Sequence, residues 1–448
     1  MALMRKIPAL ILATMLLLAT GCVPDLSHKD IADLKRMPQN PLAYLDPATA
    51  HRPLLSHEEQ QKQALAFLER HFAPWHTNGP LESTRSPFWA VDWVGKKAVF
   101  GENLRPVGQD RLQALVDRAA PETYPSLNLR AITVRLSDLR ALPTRRPLFL
   151  DPDEAGEGFP FDYLQHAAVQ ANTPLHVIHR SQDGAWVFAE TSLAYGWMPV
   201  TDLAWVDGEF ARAFDTGTYL APTRDRVPVF DTDGLYRFST GIGTLLPLTG
   251  DGSHEVFLAV ADENRRALLA KALLPPDSGE TFPLPLTPLR LASLAGNMVG
   301  QAYGWGESFA DRDCSATVRD LFAPFGLWLP RNSSKQAMEG TVVPLSGLSP
   351  SRRERRLLDE GVPFLTLVRV PGHIMLYIGE HEDRAALLHT LWGVRTRNLW
   401  NREGRWIVGK TAITTLEPGL EQASLSLGVS SLRRRVESMN LLLSPGRP

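Results

Sequence analysis

The feature that most constrains this chain is its cysteine content. Only two cysteines occur in 448 residues. Cys22 lies at the end of a basic and then hydrophobic N-terminal segment with the pattern of a secretory signal. The remaining thiol, Cys314, cannot then form an internal disulfide. It must be a buried apolar residue, a metal ligand or a nucleophile.

The residues around Cys314 favour the nucleophile. Asp313 is a good N-cap residue, and the following segment, 315–323, predicts a short helix that stops at Pro324. Cys314 would lie in the first turn, where free N–H groups and the helix dipole lower the pKa of a thiol. A cysteine that only fills space would not need these polar neighbours.

Two histidines downstream could serve this thiol. The segment 362–370 predicts one strand, His373 opens a second strand, and His389 lies in a third strand at 385–392. On adjacent antiparallel strands the two imidazoles could lie side by side. One would take the thiol proton and the other would orient it. One cysteine and two histidines could instead hold zinc, but zinc ligands usually come in close sequence pairs, which are missing here.

A series of short motifs extends over this region. In chain order they are Tyr303–Gly306, Asp313–Ser315, Leu329–Ser333, Gln336, Gly340, His373 and His389–Gly393. Together they resemble the NlpC/P60 peptidases, which are papain-like cell-wall hydrolases. The branch with two bacterial SH3-like domains, similar to γ-D-glutamyl-L-diamino acid endopeptidases, fits best. Ala316 departs from the glycine of many relatives, but alanine suits a helix better than glycine does.

The resemblance implies roles for individual residues. It makes Cys314 the nucleophile, His373 the base and His389 its orienting partner. It also implies that Asp313 binds the free α-amine of the substrate, although the residue could be only a helix cap. The further substrate-binding candidates are Tyr163 and Tyr195 in the first SH3-like domain, Trp305 in the cleft wall, and Arg331 and Ser333. We expect neither a metal nor an organic cofactor.

The length of the chain calls for several domains. We expect an α+β protein in which a helical segment and two small SH3-like β-barrels precede a papain-like catalytic domain. The predicted boundaries are 1–22 for the signal, 23–56 for a tether, 57–130 for an N-terminal stabilising segment, 131–206 and 207–284 for the SH3-like domains, 285–420 for the catalytic domain and 421–448 for a tail. Within the tail, 431–443 predicts a short basic helix or a frayed end.

Local signals place several elements. Ser56–Glu59 has a capping-box pattern that opens a helix to about Arg70. A second helix is expected at 108–120, and Thr287 with Pro288 starts a third. Strands at 175–179 and 185–190 flank a polar turn and predict a hairpin.

The N-terminus and the charge bear on location and partners. Leu18–Cys22 resembles a bacterial lipobox, so we expect a lipid on Cys22 and a periplasmic protein anchored in the outer membrane; cleavage near Gly21 without lipid is the alternative. A net charge of −2 gives no reason to expect nucleic acid. We expect a monomer acting on peptidoglycan stem peptides. A wall-binding lipoprotein with little or no catalysis, or an amidase or acyltransferase on this fold, remains possible.

Overall fold

The computed structural model of the chain describes residues 30–79, 88–90, 96–250, 254–397, 402–421 and 431–443. Helices α1 (Asp33–Arg36), α2 (His57–His76) and α3 (Gln109–Arg118) come first. Two β-domains follow, and a mixed C-terminal domain ends the chain. The predicted signal and Cys22 lie outside the described residues.

Helix α2 contacts both β-domains and the C-terminal domain. Its start is the predicted capping box, in which the Ser56 hydroxyl accepts from the Glu59 N–H at 3.2 Å and the Glu59 carboxylate accepts from the Ser56 N–H at 3.1 Å. Three aromatic residues of α2 lie in a core shared with the second β-domain and the C-terminal domain: Phe67, Phe72 and Trp75. The Trp75 indole N–H also donates to the Ala131 carbonyl at 2.8 Å, which ties α2 to the first β-domain.

The first β-domain is one antiparallel sheet of seven strands in the order β3-β2-β6-β5-β4-β1-β7. The strands are β1 (Leu129–Thr133), β2 (Ser137–Arg140), β3 (Gln165–Val169), β4 (Pro174–Arg180), β5 (Trp186–Glu190), β6 (Tyr195–Pro199) and β7 (Leu203–Trp205). Strands β4 and β5 form the predicted hairpin.

The second β-domain begins with α4 (Gly208–Phe214) and contains three small sheets. Its strands are β8 (Tyr219–Pro222), β9 (Val227–Phe230), β10 (Tyr236–Thr240), β11 (Leu246–Pro247), β12 (Glu255–Ala261), β13 (Ala267–Leu273) and β14 (Gly279–Thr281). They pair as β10-β9, β11-β8-β14 and β12-β13.

The C-terminal domain packs helices against a six-stranded sheet of order β15-β20-β16-β17-β18-β19. Its helices are α5 (Pro288–Met298), α6 (Cys314–Phe322), α7 (Ser333–Gln336), α8 (Pro350–Glu360) and α9 (Leu432–Arg435). Its strands are β15 (Thr341–Pro344), β16 (Thr366–Val370), β17 (His373–His381), β18 (Arg384–Arg397), β19 (Glu403–Thr414) and β20 (Ser438–Leu441). As predicted, Thr287 caps α5 and Pro288 opens it.

The segment expected to be a tether behaves differently over its described part, residues 30–56. The Gln39 side-chain amide donates to the Ile413 carbonyl at 2.9 Å and accepts from the Ile413 N–H at 3.0 Å. The Leu54 N–H donates to the Leu286 carbonyl at 2.9 Å. The segment is therefore bound to the C-terminal domain, where Gln39 occupies backbone groups of β19, an edge strand of the sheet.

The predicted frayed tail is also wrong for residues 431–443. Helix α9 is a single turn, and β20 then pairs antiparallel with β15 on one side and β16 on the other. Met439 and Asn440 are fully buried there, and the Asn440 amide donates to the Gln336 and Glu339 carbonyls. A four-residue strand is too short to show a clear alternation, so its place in the sheet depends on partners distant in sequence.

Candidate active site

Cys314 is the first residue of α6, as the sequence predicts. The Asp313 carboxylate caps the helix by accepting from the Ala316 N–H at 2.8 Å. The helix packs against β17 and β18, which carry His373 and His389. These three residues line one cavity of about 890 Å³, which is large enough for a peptide of a few residues.

The two histidines form a directed hydrogen-bond chain. His373 Nε2 lies 2.7 Å from His389 Nδ1, and His389 Nε2 lies 2.9 Å from the Thr414 hydroxyl. The Thr414 hydroxyl donates its proton to the Thr415 carbonyl at 2.8 Å, so it must accept from His389 Nε2–H. His389 Nδ1 is then an acceptor for His373 Nε2–H. The network thereby assigns the free lone pair of neutral His373 to Nδ1.

Burial controls the charges of these groups. It raises the pKa of the Cys314 thiol to about 12, with Asp313 adding to the rise, and the Ile374 N–H and Arg331 oppose it. Burial lowers the pKa of His373 to about 4, with Arg435 also lowering it and Asp313 raising it. Burial and His373 hold the pKa of His389 well below its usual range. The resting pair is therefore neutral, and the predicted lowering of the thiol pKa is wrong: desolvation exceeds the effect of the helix start.

Asp313 is bound on several sides. Besides capping α6, its Oδ1 accepts from the Ser315 hydroxyl at 2.9 Å. Arg331 donates to both carboxylate oxygens, with Nη2 2.7 Å from Oδ2. Among the described residues, Arg331 is the only hydrogen-bond donor to Oδ2. The Oδ2 atom is therefore where an additional cation could bind.

Arg331 continues into a chain of buried ion pairs. Its Nε lies 2.6 Å from Glu307, which also pairs with Arg319 at 2.6 Å. Opposing charges from Arg319 and Arg331 lower the pKa of Glu307 to about 2, although burial acts in the other direction. Glu307 has a left-handed backbone with φ of 67°. This conformation is uncommon outside glycine.

The series of ion pairs extends to the second β-domain. Arg319 pairs with Asp320 at 2.6 Å, and Asp320 pairs with Arg312 at 2.7 Å. Arg312 then binds both carboxylate oxygens of Asp225, the residue before Arg226 at the start of the β9 hairpin, at 2.8 Å. A continuous series of opposite charges therefore links Asp225 to the helix cap beside the thiol.

The other predicted site residues divide into two groups. Trp305, Tyr195, Arg331 and Ser333 line the cavity with Cys314. The Trp305 indole N–H also donates to the Asp162 carbonyl of the first β-domain at 3.0 Å. Tyr163 does not line the cavity, because its hydroxyl donates to Glu157 at 2.9 Å within a surface loop.

Neither a metal site nor a membrane span is found in the part of the chain that the structure describes. No three His, Cys, Asp or Glu side chains there are grouped as metal ligands, and this includes Cys314 with the two histidines. None of the described helices combines the length and apolarity needed to cross a bilayer.

Four family models match the chain. The N-terminal NLPC_P60 stabilising domain matches residues 9–124, and SH3 domains of the SH3b1 and SH3b2 types match 147–199 and 207–252. The NlpC/P60 family model matches 300–402, which includes the cysteine and both histidines. The C-terminal domain belongs to the NlpC/P60 family. The predicted family and the predicted domain order are confirmed.

The first of two similar solved structures supports the same fold. An NlpC/P60 endopeptidase from Photobacterium damselae subsp. piscicida is 24% identical over 92% of this chain and 98% of that chain, with a TM-score of 0.83. An NlpC/P60 family protein from Bacillus cereus is 14% identical over 70% of this chain and 100% of that chain, with a TM-score of 0.47. No curated protein matches the sequence significantly.

Several residues of this NlpC/P60 site were not singled out from the sequence. They are Glu307 and Arg319 in the ion-pair chain, and Arg395, Arg405 and Arg435 in the cavity wall. Arg319 offered a signal, because it is a charged residue on the buried side of a predicted helix and needs a partner. Arg395 and Arg405 are cross-strand partners in β18 and β19, but Arg435 comes from a distant segment, so no local sequence pattern joins the three.

We expect the Cys314 thiol to stay protonated at neutral pH in the absence of substrate. Its pKa is raised to about 12 and that of His373 is lowered to about 4, so neither group ionises between these values. A pH titration of the ultraviolet thiolate absorbance, with Cys314→Ala as the blank, should rise only in the alkaline range. A thiolate signal that persists in mild acid would show instead that the pair is ionised.

We expect Glu307→Gln to destabilise the protein by about 3 kcal/mol, because it removes the carboxylate shared by two buried guanidinium groups. Urea unfolding at neutral pH measures the change. The control is Glu360→Gln, which removes an exposed helix pair with Arg356 and should cost less than about 1 kcal/mol.

The same variant has a pH signature. The depressed pKa of Glu307 means that its stabilisation is present above the ordinary glutamate range and is lost as the pH falls towards about 2. The difference between wild type and Glu307→Gln should therefore shrink in acid. If Glu307→Gln and Glu360→Gln lowered the free energy of unfolding equally at neutral pH, the buried ion pairs would not contribute more than the exposed one.

Proposed function

We propose that this protein is a cysteine endopeptidase that cuts peptidoglycan stem peptides of the type L-Ala-γ-D-Glu-diamino acid. The bond cut is that between the γ-carboxyl of D-Glu and the diamino acid. The observation that carries the proposal is the hydrogen-bond chain from Thr414 through His389 to His373, beside a thiol at a helix start.

The hydrogen-bond chain supports a specific proton route. His373 Nδ1 takes the proton as Cys314 Sγ attacks the carbonyl, while His373 Nε2–H stays bonded to His389 Nδ1. The resulting imidazolium is stabilised by His389, whose tautomer Thr414 fixes. Nδ1 then protonates the leaving amine. Backbone N–H groups at the start of α6, including that of Cys314, would bind the oxyanion.

The second half of the reaction regenerates the enzyme. Water attacks the thioester between Cys314 and the D-Glu γ-carbonyl, and His373 accepts a proton from that water. The thiolate leaves and regains the proton from the imidazolium. The neutral resting pair is thereby restored, and no metal or organic cofactor takes part in the scheme.

The surroundings of Asp313 support a preference for a free amino terminus. The amine of L-Ala would bind Oδ2, opposite the Arg331 contact. Tyr195 and residues 192–194 of the first β-domain line the same cavity and limit its extent. An acylated amine could not supply this ammonium group, so Asp313 Oδ2 would lose its second charged partner in a desolvated site, which disfavours such substrates.

The test is product analysis by mass spectrometry. The purified protein is incubated with L-Ala-γ-D-Glu-meso-diaminopimelate and with its N-acetylated form. We expect L-Ala-D-Glu from the free peptide only, and no release by Cys314→Ala. Cleavage of both peptides would retain the endopeptidase and remove the amine preference. Cleavage of neither would favour an amidase, an acyltransferase or a wall-binding protein.

We also propose that the protein is a monomeric lipoprotein of the bacterial envelope, anchored through Cys22 in the outer membrane. The support is the lipobox-like sequence Leu18–Cys22. In cell fractionation, the wild type should be in the membrane fraction and should accumulate as a precursor when lipoprotein processing is inhibited. Cys22→Ala should be released. If the wild type and Cys22→Ala were distributed equally between membrane and soluble fractions, a lipid anchor on Cys22 would be ruled out.

A further inference from the structure

Three arginines from separate elements converge on the cavity of Cys314. Arg395 lies in β18, Arg405 in β19 and Arg435 at the end of α9. Arg435 is fixed near the imidazoles, because its Nη2 donates at 3.1 Å to the carbonyl of Pro371, two residues before His373. All three line the cavity that contains the thiol.

The carboxylates near this cluster are already engaged. Glu403 accepts from Arg395 at 2.7 Å and from Arg397 at 3.2 Å. Glu437 pairs with Arg369 at 3.1 Å, and Glu157 accepts from the Tyr163 hydroxyl at 2.9 Å. Among the described residues, Arg405 and Arg435 form no ion pair.

The guanidinium groups of Arg405 and Arg435 donate hydrogen bonds to backbone carbonyl groups. Arg405 Nη1 donates to the Gly404 carbonyl, as Arg435 does to the Pro371 carbonyl. Burial and the nearby charge of Arg395 lower the pKa of both, and the opposing effects of Glu403 and Glu157 on Arg405 and of Glu437 on Arg435 do not offset this lowering. Holding like charges together in a partly desolvated wall is unfavourable unless an anion binds there.

The cavity as a whole is cationic, although the chain carries a net charge of −2. Five lysine or arginine residues line it: Arg331, Lys335, Arg395, Arg405 and Arg435. The one aspartate or glutamate among the described lining residues is Asp313, and Arg331 is bound to it. The ligand of this cavity should therefore carry several carboxylates.

The position of His373 indicates which part of the substrate meets the arginines. Asp313 and Arg435 are both near enough to act on its imidazole with opposite sign. A peptide held by its amine at Asp313 presents its carbonyl to Cys314 and its leaving amine to His373. The residue that leaves then extends towards Arg435.

We propose that Arg395, Arg405 and Arg435 form a carboxylate-binding subsite for the leaving diamino acid, and that this residue is one with a carboxylate at its far end, diaminopimelate rather than lysine. The proposal rests on the proposed function. Diaminopimelate differs from lysine by this additional carboxylate. Guanidinium groups suit it because they bind carboxylates in a planar, bidentate manner.

The experiment separates binding from hydrolysis. Calorimetry with Cys314→Ala measures the affinity for L-Ala-γ-D-Glu-meso-diaminopimelate and for the same tripeptide with L-lysine. We expect the first peptide to bind about 10- to 100-fold more tightly, which is the range for a charge-assisted contact. Arg405→Gln and Arg435→Gln, each added to Cys314→Ala, should remove most of this preference and leave the affinity for the lysine peptide nearly unchanged.

Arg397→Gln is the matched control. Arg397 lies on the same strand as Arg395 and binds the same Glu403, but it does not line the cavity. This variant should keep the preference. Arg405→Lys should recover part of it, which a purely structural role of Arg405 would not explain.

Equal affinity of Cys314→Ala for the two peptides would overturn the subsite, and so would an equal loss for both peptides in the arginine variants. Hydrolysis by the wild type is scored separately. Arginine-dependent preference in binding without hydrolysis would support the subsite and contradict the peptidase. Hydrolysis without a preference between the two peptides would support the peptidase and contradict the subsite.

Discussion

Glu307 is the carboxylate on which the geometry of the cleft depends. It binds Arg319 of helix α6, which begins at Cys314, and Arg331 of the following loop, and Arg331 in turn binds the N-cap of that helix, Asp313. Through Asp320 and Arg312 the same charges reach Asp225 in the second β-domain. Because each buried ion has at least one partner of opposite sign, removal of one member leaves others uncompensated. The orientation of the thiol is thus coupled to a domain whose described residues do not line the cavity.

The same burial that strengthens these ion pairs keeps Cys314 and His373 neutral. Desolvation disfavours both the thiolate and the imidazolium. In the proposed reaction, charge separation would therefore occur only when a substrate carbonyl can accept the electron pair of sulfur. Asp313 and Arg435 act on His373 with opposite sign. An ammonium bound at Asp313 would weaken the effect that raises the pKa of His373. A carboxylate bound at Arg435 would weaken the effect that lowers it. Occupation of both ends would therefore leave the basicity of His373 near its resting value.

The sequence allowed prediction of the features that depend on local chemistry. The Ser56 capping box, the start of α5 at Thr287 and Pro288, and the strands bearing His373 and His389 all follow from neighbouring residues. The motifs around Cys314 carried the family resemblance, and that resemblance implied the order of domains. Features that require distant partners were missed or wrong: the binding of residues 30–56, strand β20, the separation of Tyr163 from the cavity, and the direction of the thiol pKa shift. Each depends on how much water the folded chain excludes or on which segments meet.

One close contact of the first β-domain with the cleft requires a glycine. Gly306 has a φ of 57°, and a Cβ built there would lie 2.8 Å from Gln165 Cγ and 2.9 Å from the Gln165 carbonyl oxygen. Only glycine fits this approach, which lets the Gln165 amide donate to the Gly306 carbonyl at 3.0 Å. Gly306 directly precedes Glu307. On its other side, the Trp305 indole N–H donates a hydrogen bond to the Asp162 carbonyl. The three consecutive residues therefore join the first β-domain to the buried ion pairs, so a shift of that domain would disturb both the wall of the cavity and the ion pairs beside Cys314.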